Sequence, residues 1–232
     1  MKKFATTFGV LALLALAAAP SFAANAVRIS QVYGGGGGTG AATYKQDYVE
    51  IFNNSGAAVN IGGWTIEYGS ATGNWGSSSS NIFIFPANTL IQPCKYLMVA
   101  VGAVGTGGAA FPITPDFTST VGPSMSGTTG KVAIFNAVNT NLACGSELAG
   151  TLVDKVSYGT GNCPEVTNVG ATSITTGAVR NGGGTTDTDN NVNDFTLVTN
   201  PVPRNSASAP NAACVSTPTS KSTWGSVKSI YR

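Results

Sequence analysis

The chain of 232 residues has no histidine, and only 9% of its residues are charged, against roughly 25% in an average soluble domain. The missing imidazole excludes Ser-His-Asp and Cys-His nucleophilic sites and every histidine-ligated metal centre. Neither sign of charge is in excess: 12 Lys and Arg stand against 10 Asp and Glu, and ten of each remain once a leader carrying Lys2 and Lys3 is set aside. A near-neutral chain lacks the basic face that phosphate backbones or anionic lipid require. Nucleic acid is therefore not an expected partner. No two cysteines have the Cys-x-x-Cys spacing of a four-thiolate zinc site. Past residue 23, no apolar run is long enough to cross ~30 Å of hydrocarbon; Tyr96 to Ala110 is interrupted by four glycines.

What is present begins with an address. Met1 to Ala23 reads as a secretory signal peptide: Lys2 and Lys3 open it, Gly9 to Ala19 is its apolar core, and Pro20 ends the helix. Ser21-Phe22-Ala23 places small residues where a signal peptidase reads, so cleavage is expected after Ala23. The core is too short for a membrane anchor, and no cysteine follows the cleavage point to take a lipid. The mature protein is expected to be secreted, periplasmic or held at the cell surface, with no membrane span.

Four cysteines, Cys94, Cys144, Cys163 and Cys214, all fall in the mature part, and an even number in an exported chain suggests two disulfides. Cys144 and Cys163 flank the strand-like run Thr151 to Gly159, which spans ~27 Å at ~3.3 Å per residue. The nine other residues between these cysteines reach ~30 Å, so that bridge just closes, leaving Cys94 with Cys214. Three connectivities are formally open.

The body is a succession of short runs rich in Val, Ile, Phe and Tyr, each bounded by Gly, Pro, Asn or Ser. They are Val27 to Tyr33, Asp47 to Phe52, Val59 to Ile61, Trp64 to Tyr68, Asn81 to Phe85, Tyr96 to Val101, Lys131 to Asn136 and Leu152 to Tyr158. Such spacing, with turn signals between, indicates an all-β sandwich or barrel. Gly34 to Ala42, Gly69 to Ser80 and Gly102 to Gly130 read as loops. Residues 24–205 are read as one domain. Residues 206–232 form a Ser/Pro/Thr linker and a short amphipathic tail, in which Trp224, Val227, Lys228, Ile230 and Tyr231 fall at helical spacing. The tail would either cover a sheet edge or serve as a sorting tag.

Taken in order, several runs resemble the lamin-tail domain of exported bacterial proteins. They are Ile29-Ser30-Gln31-Val32-Tyr33 with its glycine loop, Asp47-Tyr48-Val49-Glu50-Ile51-Phe52-Asn53-Asn54, and Val59-Asn60-Ile61-Gly62-Gly63-Trp64-Thr65-Ile66. Ile91-Gln92-Pro93-Cys94-Lys95-Tyr96-Leu97 resembles the family's Pro-Gly-x-Tyr turn, with Cys94 in place of glycine. Gly130-Lys131-Val132-Ala133-Ile134 and Val153-Asp154-Lys155-Val156-Ser157-Tyr158-Gly159 match later strands. Arg180 with Asp187 to Asn191 and Asp194-Phe195 resembles the closing segment. The resemblance, over about residues 27–205, implies an immunoglobulin-like β-sandwich without catalytic activity, of a kind that mediates attachment.

Candidate sites are few. Gly35-x-Gly37-x-x-Gly40 has the form of a dinucleotide fingerprint, but a strand rather than a helix follows it, and a loop is the better reading. Asp187, Asp189, Asn191 and Asp194 form the densest oxygen cluster; such a set would either take calcium or cap backbone amides in an Asx-rich turn. Trp75, in a polar loop beside Asn74 and near Tyr68, would either stack on a sugar or fold over its own sandwich edge. Glu50 and Glu67 would serve as a glycosidase pair only if their strands neighbour and their carboxyls converge. The expectation is a non-catalytic exported binding or scaffold module for an extracellular protein or polysaccharide. A carbohydrate-binding module using Trp75, Tyr68 and Asn74 is the alternative, and a small secreted hydrolase a distant third.

Overall fold

The computed structural model describes residues 26–147 and 151–214. The expected signal peptide and the amphipathic tail lie outside the described residues. Twelve strands run in order: β1 Val27–Tyr33, β2 Asp47–Asn53, β3 Val59–Asn60, β4 Thr65–Gly69, β5 Ile82–Ile84, β6 Leu90–Ile91, β7 Tyr96–Val101, β8 Phe117–Thr118, β9 Gly130–Phe135, β10 Leu152–Tyr158, β11 Thr176–Arg180 and β12 Phe195–Thr199. A single helical turn, α1 Asn191–Asp194, precedes β12.

Alternation along each strand sorts the side chains between two sheets. One sheet has the order β12-β11-β1-β2-β7-β8, the other β10-β9-β4-β5, and β3 with β6 forms a separate ribbon. Val49 and Ile51 of β2, Leu97, Val99 and Val101 of β7, Ile66 of β4, Val132 and Ile134 of β9 and Val156 of β10 meet in one buried core. Each such side chain is worth roughly 1.5–3 kcal/mol of burial. In β1 the pairing with β2 shifts register between Ile29 and Gln31. This bulge lets Ile29 and Val32, three positions apart, both reach the core, while Gln31 and Tyr33 turn outward. Trp64 packs against the core's edge.

The outer faces of both sheets are covered. Over the six-stranded sheet, Tyr33, Tyr44, Tyr48 and Met98 form a second cluster, joined by Phe111 and Ile113 from the long loop after β7. The glycine run closes down on this face. A Cβ at Gly36 would lie 2.0 Å from the Gln46 carbonyl carbon, and Gly37 has φ +69°, so only glycine lets the loop lie flat here. Over the four-stranded sheet, Trp75 packs on Ala133, Phe135 and Cys163.

Beyond β12 the chain returns across the larger sheet. Residues 206–214, the start of the expected linker, are bonded to the body. Ser206 N–H donates to Asp116 Oδ2 at 3.1 Å, and the Lys95 ammonium donates to the Ser208 carbonyl. Disulfides join Cys94 to Cys214 and Cys144 to Cys163, with Cα–Cα distances of 5.5 and 5.6 Å.

Candidate functional site

Glu50 points outward from β2 and is fully buried beneath the returning segment. Its carboxylate accepts from Ser30 Oγ at 2.5 Å, Gln31 Nε2 at 3.0 Å, the Arg204 main-chain N–H at 2.5 Å and Arg204 Nη2 at 2.7 Å. Burial raises its pKa and the Arg204 guanidinium opposes the rise. Arg204 also lies 3.8 Å over the Tyr96 ring. Both carboxylate oxygens bond Arg204 and so fasten the returning segment to the sheet.

Glu67 stands on β4, in the other sheet, and is also fully buried. Its Oε1 accepts from Thr65 Oγ1 at 3.0 Å and Asn139 N–H at 2.8 Å, while Oε2 lies buried with no partner. Burial raises its pKa. Ile51 and Ile66 occupy the core between the sheets, so Glu50 and Glu67, each offset by one position from those inward residues, face opposite outer sides. The two carboxyls do not converge, and the acid/base pair considered from the sequence is not formed.

The polar Gly69–Ser80 loop does not hold Trp75 out in solvent. The indole is fully buried, its Nε1 donates to Glu147 Oε1 at 3.0 Å, and the Lys131 ammonium lies 5.2 Å over the ring. Lys131, buried with it, donates to the Gly73 carbonyl and to Asn162 Oδ1, and burial lowers its pKa. Tyr68 is only 6% exposed and belongs to the central core, its hydroxyl accepting from Ser126 N–H. Asn74 bonds Asn141 at the surface. The three residues expected to offer a sugar-stacking face are therefore divided between core, outer-sheet cover and loop. The physical reason is that Trp75 covers the apolar outer face of β9, and a carboxylate 72 residues away takes its N–H.

The oxygen cluster gathers around an arginine. Arg180, at the end of β11 and fully buried, donates from Nη2 to Asp154 Oδ2 at 2.6 Å and from Nη1 to Asp187 Oδ1 at 3.3 Å. Asp194 Oδ2 lies 3.7 Å from the same Nη1. Arg28 pairs with Asp187 at 3.1 Å. Asp194 caps the turn before it, accepting from Thr188 N–H and Oγ1 at 2.9 and 2.8 Å. Asn191 Oδ1 accepts from Ser157 and Glu165 N–H, and its Nδ2 donates to the Lys155 carbonyl, so its amide serves as a peptide group along the edge of β10. Asp189 stays exposed at φ +55°. Glu165, absent from the expected set, joins it: its oxygens lie within 4.8 Å of those of Asp187 and Asp194. Burial, then the Asp154 charge, pushes its carboxyl up to about 9. Two guanidiniums already pair with Asp187, one of them also facing Asp194, and Asn191 and Asp194 spend oxygens on backbone amides. A hard cation would have to displace Arg180, so the geometry is that of an Asx-rich latch.

These sites define a class before they define a family: an all-β sandwich stapled by two disulfides, whose buried ionisable groups bind its own loops and the segment that follows β12. Two disulfides point to a non-cytoplasmic location, and no helix among the described residues is long and apolar enough to cross a membrane. The chain belongs to the lamin tail domain family, whose model matches residues 20–160; this is a non-catalytic immunoglobulin-like domain. In solved structures, the fold is similar to that of a DUF4876 family protein from Bacteroides thetaiotaomicron VPI-5482, with 15% sequence identity and a TM-score of 0.51. The match covers 82% of this chain and 75% of that one, and at that identity it speaks for the fold alone. A comparison with curated proteins gives no match.

The family match ends at the close of β10, so β11, α1, β12 and the returning segment lie beyond it. They hold Arg180 and Arg204, the residues that organise both buried charge clusters. Sequence reasoning missed Arg204, an isolated arginine in a Pro- and Ser-rich stretch, because its partner Glu50 lies 154 residues away.

Proposed function

We propose that the protein is an exported, non-catalytic lamin-tail module that binds an extracellular or cell-surface protein. The observation that carries this reading is the internal use of its chemistry. Glu50, Asp154 and Asp187 are each paired with a buried or half-buried arginine, and Glu50 and Glu67 face opposite sides. A fold with its reactive groups so occupied, sealed on both sheet faces and cross-linked for an oxidising environment, serves as a rigid platform for recognition through its loops.

The test is recovery of the chain from cells that produce it. An N-terminus at Ala24 outside the cytoplasm, both disulfides intact, and no turnover of glycoside, ester or phosphodiester substrates are expected. A cytoplasmic chain with reduced cysteines, or turnover abolished by Glu50→Gln, would overturn the reading.

A further inference from the structure

Of the seven cations among the described residues, six are committed. Arg28, Lys155, Arg180 and Arg204 pair with carboxylates, and Lys95 and Lys131 donate to main-chain carbonyls. Lys45 is the remaining one, exposed and in none of these ion pairs. It stands on the rim of a surface hollow of about 170 Å³ lined by Lys45, Gln46, Val104, Ala109, Ala110 and Phe111. Val104 is 58% exposed at its lip.

The hollow is built rather than incidental to a loose loop. Lys45 N–H donates to the Ala109 carbonyl at 2.9 Å, and the Lys45 carbonyl accepts from Gly105 N–H at 2.7 Å. The two loops are thereby joined on either side of the ammonium's own residue. Behind them, Phe111 lies tilted against Tyr44 with ring centroids 5.0 Å apart and meets Tyr48 edge-on at 5.7 Å. Gln46 Nε2 donates to the Gly102 carbonyl at 2.7 Å, fixing the base of the same loop. A preformed apolar depression beside one exposed positive charge has a specific complement.

We infer that this hollow is a docking point for a polypeptide that presents an aromatic or large aliphatic side chain next to a carboxylate. The side chain fills the space between Val104 and Phe111, and the carboxylate meets Lys45. This names the partner chemistry of the binding module above and rests on that reading.

The test uses the exported, disulfide-bonded chain, labelled with nitrogen-15, titrated with N-acetyl-glycyl-phenylalanyl-aspartyl-glycinamide and with its asparagine counterpart. Shifts are expected at the amides of Lys45, Val104, Ala109, Ala110 and Phe111. The aspartyl peptide should bind about two- to fivefold more tightly, as expected of one solvent-exposed ion pair. Lys45→Gln should abolish that preference, and Ala109→Trp, which fills the hollow from an exposed position, should abolish both shifts. Shifts elsewhere, equal binding of the two peptides, or a preference that survives Lys45→Gln would overturn the proposal. So would tighter binding of 3-phenylpropanoate than of the peptide, which would assign the hollow to a free aromatic acid. If the peptides fail while protein adducts still form from other surface positions on intact cells, the hollow is refuted and the module reading stands.

Discussion

Asp47 is a small node with a large reach. Its carboxylate accepts from Gly36 N–H at 2.8 Å and from Met125 N–H at 2.9 Å, so one side chain pins both the glycine loop and the segment leading into β9. Burial pushes its pKa to about 7 although those two amides oppose the rise. The unfolded chain releases this proton near 3.8. The folded state therefore holds the extra proton between those values, and the stabilisation is complete below about pH 4 and lost as the pH rises through about 7. Chemical denaturation at pH 5 and pH 7.5 should show the parent chain losing stability against Asp47→Asn as the pH rises. A gap that stays constant would remove Asp47 as the titrating group. Residues such as Trp75 are poorly legible in sequence for one physical reason. A polar, glycine-rich neighbourhood looks exposed, yet such a loop can be laid over a sheet by partners far away, as Glu147 does for Trp75.

At the scale of elements, the long strands could be read because burial on both sides writes itself into them as β-branched and aromatic runs. β1, β2 and β7 are of this kind. β6 and β8 have two residues each and carry no period to detect. β11 contains Gly177 and Ala178, weak strand formers, and exists because Gln31 and Val32 of β1 pair with Val179 and Ala178. The returning segment is held by the Glu50–Arg204 pair, the Cys94–Cys214 disulfide and hydrogen bonds such as Ser206–Asp116 and Lys95–Ser208, and no run of residues announces it. Arg204→Met would leave Glu50 buried without its cation, and should cost about 3 kcal/mol in denaturant unfolding. With Cys94 and Cys214 both changed to Ser, residues 206–214 should become the first segment cut by a nonspecific protease, ahead of any strand. Equal protease resistance in the two chains would show that the segment is held without the disulfide, by the ion pair and the hydrogen bonds of Ser206 and Ser208.

For the whole molecule, low charge has a consequence that composition alone states only as an exclusion. With 9% charged residues in the chain and six of the seven described cations bound to carboxylates or main-chain carbonyls, exposed Lys45 beside an apolar hollow is the distinctive feature of the described surface. The fold class was legible from the strand pattern and the ordered lamin-tail runs. The proposed place of contact was not, because it depends on Lys45 being the cation left over, among the described residues, after six others find partners across the fold. The account stands most directly on an in situ measurement. A photo-crosslinking benzoylphenylalanine would be placed at Val104, beside the hollow, and separately at Val166, which is 76% exposed in the loop after β10, in chains exported by living cells. The account predicts a discrete, protease-sensitive adduct from Val104 that is lost with Lys45→Gln, and none from Val166. Irradiation that yields no protein adduct from either position would contradict it.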